Sequence, residues 1–200
     1  MEAILLIGIP ASGKSPFYKE RFYATHPRIN RDMLKAKRRE CGLIETCFKI
    51  QQRFLLDNVS ATRADRSEVI AAAYAARFPV IGYFFQVSTR VAVARNKVQI
   101  PLVGIFGAYK RLETPSHAEG FDELFVVTIG ADRNFIVNPA SEGTLDKVPH
   151  KGEKDFPIGS GDRLSLYYTA RRIRCSFSRG ERGDDLFELR IAAQRVPDWL

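Results

Sequence analysis

Gly8-Ile9-Pro10-Ala11-Ser12-Gly13-Lys14-Ser15 is the stretch on which the reading of this chain turns. A glycine, four residues, then Gly-Lys-Ser is the phosphate-binding (Walker A) loop pattern, in which a turn joins a strand to a helix. Gly8 and Gly13 let the backbone turn sharply and leave no side chain between its N–H groups and a phosphate. Those N–H groups and the helix amino terminus then form a concave anion site. Lys14 is placed to reach the β- and γ-phosphates, and the Ser15 hydroxyl to take one Mg²⁺ position. The flanks agree with this. Ala3-Ile4-Leu5-Leu6-Ile7 is a continuous apolar run, as in a buried parallel strand. Phe17, Arg21, Phe22 and Tyr23 follow at roughly helical spacing, and Pro16 falls in the first turn, where a missing N–H is least costly. The whole loop, Gly8 to Ser15, implies a nucleoside triphosphate rather than an idle glycine-rich turn.

The chain has 200 residues, enough for one full domain or a domain with an appendage. Its apolar content of 45% is enough to bury a core, and no run is long enough to span a membrane. No positive charge precedes the first apolar run, so a secretory leader is not expected. The formal net charge is +8 and unevenly placed: residues 1–131 carry nineteen Lys/Arg against twelve Asp/Glu, residues 132–200 twelve against eleven. A basic first part fits a polyanionic partner such as a nucleic acid. Triphosphate binding alone would account for some of the same surplus. Cys41, Cys47 and Cys175 show no Cys-x-x-Cys spacing and give no sign of a disulfide framework. The three histidines form no metal-ligand cluster with them, and a reducing, cytoplasmic setting is expected.

Arg28-Ile29-Asn30-Arg31-Asp32 reads as a short strand edge, and Met33 to Ile50 as one helix. Arg53 to Asn58 is an apolar strand ending in an acid. Thr62 caps a helix running through Arg77, Val80–Phe85 is another buried strand, and Ser88 to Asn96 another helix. Pro101 to Gly107 reads as a loop leading into a short helix, and Glu123–Val127 as the last clear strand. Strands alternating with helices predict an α/β three-layer sandwich around a mostly parallel sheet. Ligands of such sheets bind at the carboxyl ends of the strands, which places Asp32 and Asp57 near the mouth of the loop. Residues 129–200, rich in turn formers and charge, read as a loosely ordered C-terminal extension of a domain at 1–128, with a hairpin or helix docking back.

Phosphoryl transfer needs its phosphates held, their charge neutralised and an acceptor oxygen aligned. The loop and magnesium answer for the first two. Asp32 is the candidate acid for receiving the acceptor's proton. On a continuous helix Lys35 and Arg39 would share its face. The alternative for Asp32 is a helix cap, and for Lys35, Lys37, Arg38 and Arg39 a solvated helix face. Asp57 ends a strand as a magnesium-steadying acid does, or else is a turn residue.

The loop, then Asn30-Arg31-Asp32, Leu56-Asp57-Asn58 and Thr114-Pro115-Ser116-His117-Ala118-Glu119-Gly120-Phe121-Asp122-Glu123 fall in the order seen in polynucleotide 5′-hydroxyl kinases. Over residues 1–128 the chain resembles the kinase domain of the phage and animal repair enzymes. The resemblance implies that Lys14 and Ser15 hold phosphate and magnesium and that Asp32 is the general base. It also implies that Asp57 orients the metal shell or a substrate-binding side chain. Lys35 stands where the family commonly has Arg, a point charge in place of a bidentate fork. Val59-Ser60-Ala61 replaces the usual Thr-Asn-Pro. The lid at Arg95–Pro101 is several residues short, with Arg95 and Lys97 the substitutes for its arginine. The accompanying phosphatase motif, Asp-x-Asp-Gly-Thr, has only an echo in Ala140-Ser141-Glu142-Gly143-Thr144, with alanine at the nucleophile, and no phosphatase activity is expected.

These readings converge on a P-loop kinase that transfers the γ-phosphoryl of ATP to a hydroxyl, foremost a nucleic-acid 5′ end. Two rivals stand beside it. One is a kinase of the same fold with a small-molecule or nucleotide-sugar hydroxyl acceptor. The other is a catalytically weakened ATP-binding module.

Overall fold

The apolar run at Ala3–Ile7 is the central strand, β1, and all five of its residues are buried. In the computed structural model, residues 1–96, 100–130, 132, 134–141 and 145 are described, together with strands at Cys175–Arg179 and Phe187–Ile191. The chain runs β1, α1 (Lys14–Arg21), β2 (Arg28–Ile29), α2 (Arg31–Leu34), α3 (Lys37–Lys49), β3 (Phe54–Asp57), α4 (Arg63–Ala75) and β4 (Val80–Phe85). It continues through α5 (Thr89–Arg95), α6 (Leu102–Arg111), β5 (Glu123–Ile129) and β6 (Phe135–Pro139). The six strands lie in the order β2-β3-β1-β4-β5-β6. The first five pair in parallel and β6 pairs antiparallel to β5. The strands at Cys175–Arg179 and Phe187–Ile191, β7 and β8, form a separate antiparallel pair.

Side chains of a strand alternate between faces, and β1 shows why the sheet is covered twice. Ala3, Leu5 and Ile7 face a core shared with Ile44 and Phe48 of α3 and with Val69 and Ala73 of α4. Ile4 and Leu6 face the opposite core, shared with Phe17 and Tyr18 of α1. Phe17 anchors that side, with ring contacts to Phe22, Tyr83, Phe85 and Phe135 at centroid distances of 5.1–5.7 Å. The result is the expected α/β three-layer sandwich with a mostly parallel sheet. Among the described residues no helix is long and apolar enough to cross a membrane.

Four local expectations are corrected. The single helix from Met33 to Ile50 is two, because Lys35 takes a left-handed conformation (φ 61°) that closes α2 and Ala36 is extended. Asp32, Lys35 and Arg39 therefore share no helix face. The loop at Pro101–Gly107 is instead the start of α6, a ten-residue helix that buries Ile105 and Ala108. Glu123–Val127 is followed by one more strand of the sheet, β6. Cys41 is disulfide-bonded, against the expectation from its spacing, while Cys47 is a free buried thiol. Of the two apolar clusters beyond residue 160, Leu164–Tyr168 lies outside the described residues and the second contains β8.

One buried ion pair ties α4 to the segment that precedes β5. Arg66 has no exposed surface. Its Nε and Nη2 donate to the two carboxylate oxygens of Glu119 at 2.6 and 2.8 Å. Its Nη1 donates to the carbonyls of Ser60, Ala61 and Glu113. The fork of Arg suits this bidentate contact and Lys could not make it. Glu119 also closes a capping box with Ser116, so the Pro-Ser-x-x-Glu-Gly-Phe segment is structural in its contacts. Arg66→Met strands a buried carboxylate and should cost roughly 3–5 kcal/mol in urea unfolding. The double variant Arg66→Met/Glu119→Gln should recover part of that loss. Equal losses in both would refute the pair as the source.

Candidate active site

The phosphate loop begins where β1 ends, and its backbone takes conformations that most side chains resist. Ala11 has φ 61° and Gly13 φ 103°. The left-handed dihedral of Gly13 favours glycine there, and a Cβ on it would also press on Ile129 Cδ1 at 3.0 Å. The loop is held from below by Gly8 N–H donating to Val59 O at 3.1 Å, and Ser12 is wholly buried. On its other side Ile9 packs with Ala92 of α5 and with Ile105 and Ala108 of α6. Gly13 precedes α1 with no side-chain cap, which leaves the first N–H groups of that helix to an anion. Pro16 sits in the first turn, as its missing N–H predicts.

Lys14 lies back across its own loop. Its Nζ donates to Gly8 O at 2.7 Å and Ile9 O at 2.8 Å, the carbonyls of the loop's first two residues. Burial pulls the ammonium's pKa down to about 8, against the opposing pull of Asp57 and then Asp32, with Arg28 adding to the drop. Two acids expected at the mouth of the loop thus act electrostatically on its lysine.

Ser15 and Asp57 meet across 42 residues of chain: Ser15 Oγ donates to Asp57 Oδ2 at 3.1 Å. Asp57 is buried at the carboxyl end of β3. Arg28, on the short strand β2, completes the cluster. Its Nε donates to Asp57 Oδ2 at 2.8 Å, and its Nη2 donates both to that oxygen and to Ser15 Oγ. Asn30 Nδ2 donates to Asp57 O, while Asn30 Oδ1 accepts from Met33 N–H and caps α2. Hydroxyl and carboxylate oxygens are the ligands that a hard divalent cation prefers, and a cationic side chain already stands at them. The pair therefore suits magnesium in kind, but Arg28 already occupies it.

Asp32 is not the cap of α2; Asn30 is. Asp32 lies in the first turn, exposed, and makes no hydrogen bond or ion pair among the described residues. Its neighbour Arg31 is held instead, by Nε to Glu40 Oε2 at 2.6 Å and by its backbone N–H to Asn58 Oδ1 at 3.0 Å. Asn58 Nδ2 donates to the same buried Glu40 at 2.7 Å. Lys35 is exposed at the end of α2, and Arg95 is exposed at the end of α5. Just past Arg95, Asn96 exchanges two hydrogen bonds with the backbone of Ile100. Lys97 lies outside the described residues.

Two residues of this cluster carried no role in the sequence reading. Arg28 had a faint signal, a basic residue one position before the buried Ile29 in a segment leading to the mouth. Glu40 had another, a lone acid among Lys37, Arg38 and Arg39 that turns inward to hold Arg31.

No protein-family model matches the chain. Over 132 residues it is 26% identical to the bifunctional polynucleotide phosphatase/kinase of Schizosaccharomyces pombe, covering 62% of this chain and 32% of that protein. The chain thus spans about a third of that relative's length. A solved structure from the PezAT chromosomal toxin-antitoxin system of Streptococcus pneumoniae superposes with a TM-score of 0.53 at 13% identity, over 72% of this chain and 75% of that one. Kti12 of Chaetomium thermophilum in complex with ADP-AlF3 gives a TM-score of 0.48 at 16% identity, over 73% and 94%. The α/β fold, with its mostly parallel six-stranded sheet, is shared with the PezAT structure. In sequence the chain resembles the polynucleotide phosphatase/kinase.

A lysine with a pKa of about 8 predicts a pH signature. A bound triphosphate favours the ammonium and raises that pKa, so binding above it takes up a proton. Triphosphate affinity should therefore fall as pH rises through about 8, by up to about tenfold per pH unit. Calorimetry in buffers of different ionisation enthalpy should register the proton. Affinity that is flat with pH, with no proton taken up, would refute this assignment.

Proposed function

We propose that the chain is an ATP-dependent phosphotransferase whose acceptor is the 5′-hydroxyl of a nucleic acid. The observation that carries this reading is Asp32, exposed, without a hydrogen bond or ion pair among the described residues, and near enough to Lys14 to act on its charge. Loop amides and the first turn of α1 take the phosphate oxygens, and Lys14 exchanges the carbonyls of Gly8 and Ile9 for the β- and γ-phosphates. Asp32 accepts the proton of the acceptor hydroxyl as its oxygen bonds to the γ-phosphorus and the bond to ADP breaks. Lys35 and Arg95 are the further cations within the scheme, at the acceptor side and the lid. Magnesium, when bound at Ser15 and Asp57, adds positive charge beside the phosphates.

Three things favour a nucleic acid as acceptor. The polynucleotide phosphatase/kinase is the relative by sequence, residues 1–131 hold the charge surplus, and Arg38 and Arg39 are exposed on α3. The kinase chemistry belongs to residues 1–128 in this scheme, although the sheet itself continues through β6 to Pro139, and ATP as donor goes with a cytoplasmic setting. One feature favours the second reading, a nucleotide-binding module of low turnover: the Ser15–Asp57 pair is already held by Arg28.

Transfer of label from γ-labelled ATP to 5′-hydroxyl DNA, 5′-hydroxyl RNA and small hydroxyl compounds separates these readings. Asp32→Asn keeps shape but not basicity, and transfer should fall roughly a hundred- to ten-thousand-fold with ATP affinity little changed. Undiminished transfer in that variant would remove Asp32 from the chemistry. Label on small hydroxyl compounds alone would replace the acceptor, and label on none would leave a binding module.

Oligonucleotide affinity should also fall steeply with salt, and charge reversal at Arg38 or Arg39 should flatten the slope. An oligonucleotide that binds with no salt dependence would speak for a different acceptor.

A further inference from the structure

Arg28 is held on three sides. Its Nε and Nη2 donate to the buried Asp57 Oδ2, its Nη2 reaches Ser15 Oγ at 2.8 Å, and its guanidinium lies over the Tyr18 ring, 5.6 Å from the centroid. A guanidinium does not give up its proton in a protein. A carboxylate as buried as Asp57 needs a cation in every state of the site. The oxygens that a divalent ion or its waters would use are thus already accepting from a permanent cation. A second cation there would meet Arg28 as well as Lys14, whose ammonium Arg28 already disfavours. Arg28 also keeps donors to spare. Among the described residues its Nη1 faces only the weak thioether acceptor of Met33, at 3.8 Å. The side chain is 23% exposed, so that edge is open to a phosphate oxygen, the partner that guanidinium prefers.

We propose that Arg28 is the resident cation of the Ser15–Asp57 pair, so that this site binds a nucleoside triphosphate without needing a divalent metal. The proposal rests on the nucleotide-binding reading above. It assigns to a side chain the charge neutralisation that phosphate loops commonly leave to magnesium.

The test is equilibrium binding of a fluorescent ATP analogue to the full chain, in EDTA and in magnesium chloride, for the wild type and for Arg28→Gln. Glutamine still donates to Asp57 but carries no charge. Wild-type affinity should change by less than about twofold on adding magnesium, and Arg28→Gln should tighten by more than about tenfold. Wild-type binding that itself tightens tenfold or more with magnesium overturns the proposal, even if the variant does not fold. A variant as indifferent to magnesium as the wild type overturns the assignment to Arg28. Absence of binding by the wild type in either buffer removes the nucleotide reading and the proposal with it, an outcome distinct from magnesium-dependent binding.

Discussion

A carboxylate buried at the end of β3 dictates how the mouth of this sheet is assembled. Asp57 has almost no contact with water, and an unpaired charge at such a depth would cost several kcal/mol. It is satisfied by Arg28 from β2 and Ser15 from α1, while its own backbone carbonyl accepts from Asn30. One residue thereby fixes the phosphate loop's helix, the edge strand and the start of α2 relative to one another. β2 is only two residues long, too short to hold its place by ladder hydrogen bonds alone. Its arginine, anchored on the buried acid, supplies the missing constraint.

The parallel core was plain in the sequence because its signal is local and redundant. Ala3–Ile7, Phe54–Leu56 and Val80–Phe85 are apolar runs of strand length, and strands covered on both faces leave no other pattern. The phosphate loop was legible for the same reason, since each of its residues answers to a backbone or charge requirement within eight positions. What escaped was non-local or conformational. Nothing in Met33–Ile50 announces that Lys35 will turn left-handed, because lysine has no preference for φ > 0. β6 escaped because its residues are half exposed and an edge strand needs no apolar run. Arg28 escaped because its partners lie 13 and 29 residues away. A basic residue next to a buried position looks the same whether it faces solvent or an acid.

The same distinction explains which acid is left for chemistry. Of the acids around the mouth, Asp57 is spent on Arg28 and Ser15, and Glu40 on Arg31 and Asn58. Asn30, by taking the cap of α2, relieves Asp32 of the task that an acid at a helix start commonly has. Asp32 is thus left exposed by its neighbours' engagements, in the first turn of α2. Asp32 acts on the buried Lys14 through its charge while making no hydrogen bond or ion pair among the described residues, which leaves its oxygens open to an acceptor.

Charge balance within the mouth carries this one step further. Lys14 and Arg28 face Asp57 and Asp32, two cations against two acids, so the cluster as a whole is close to neutral before any ligand arrives. Under the proposed function, an entering triphosphate would meet cations whose charge is already matched. Its attraction must come from the backbone N–H groups of the loop and the first turn of α1, which no side chain caps, and from exposed cations such as Lys35 outside the cluster. Backbone dipoles do not titrate and are fixed by the fold. Lys14 does titrate, because burial has brought its pKa to about 8. In the proposed site the loop would therefore supply a constant grip, and the lysine a pH-dependent one that arriving phosphates would strengthen by restoring its proton.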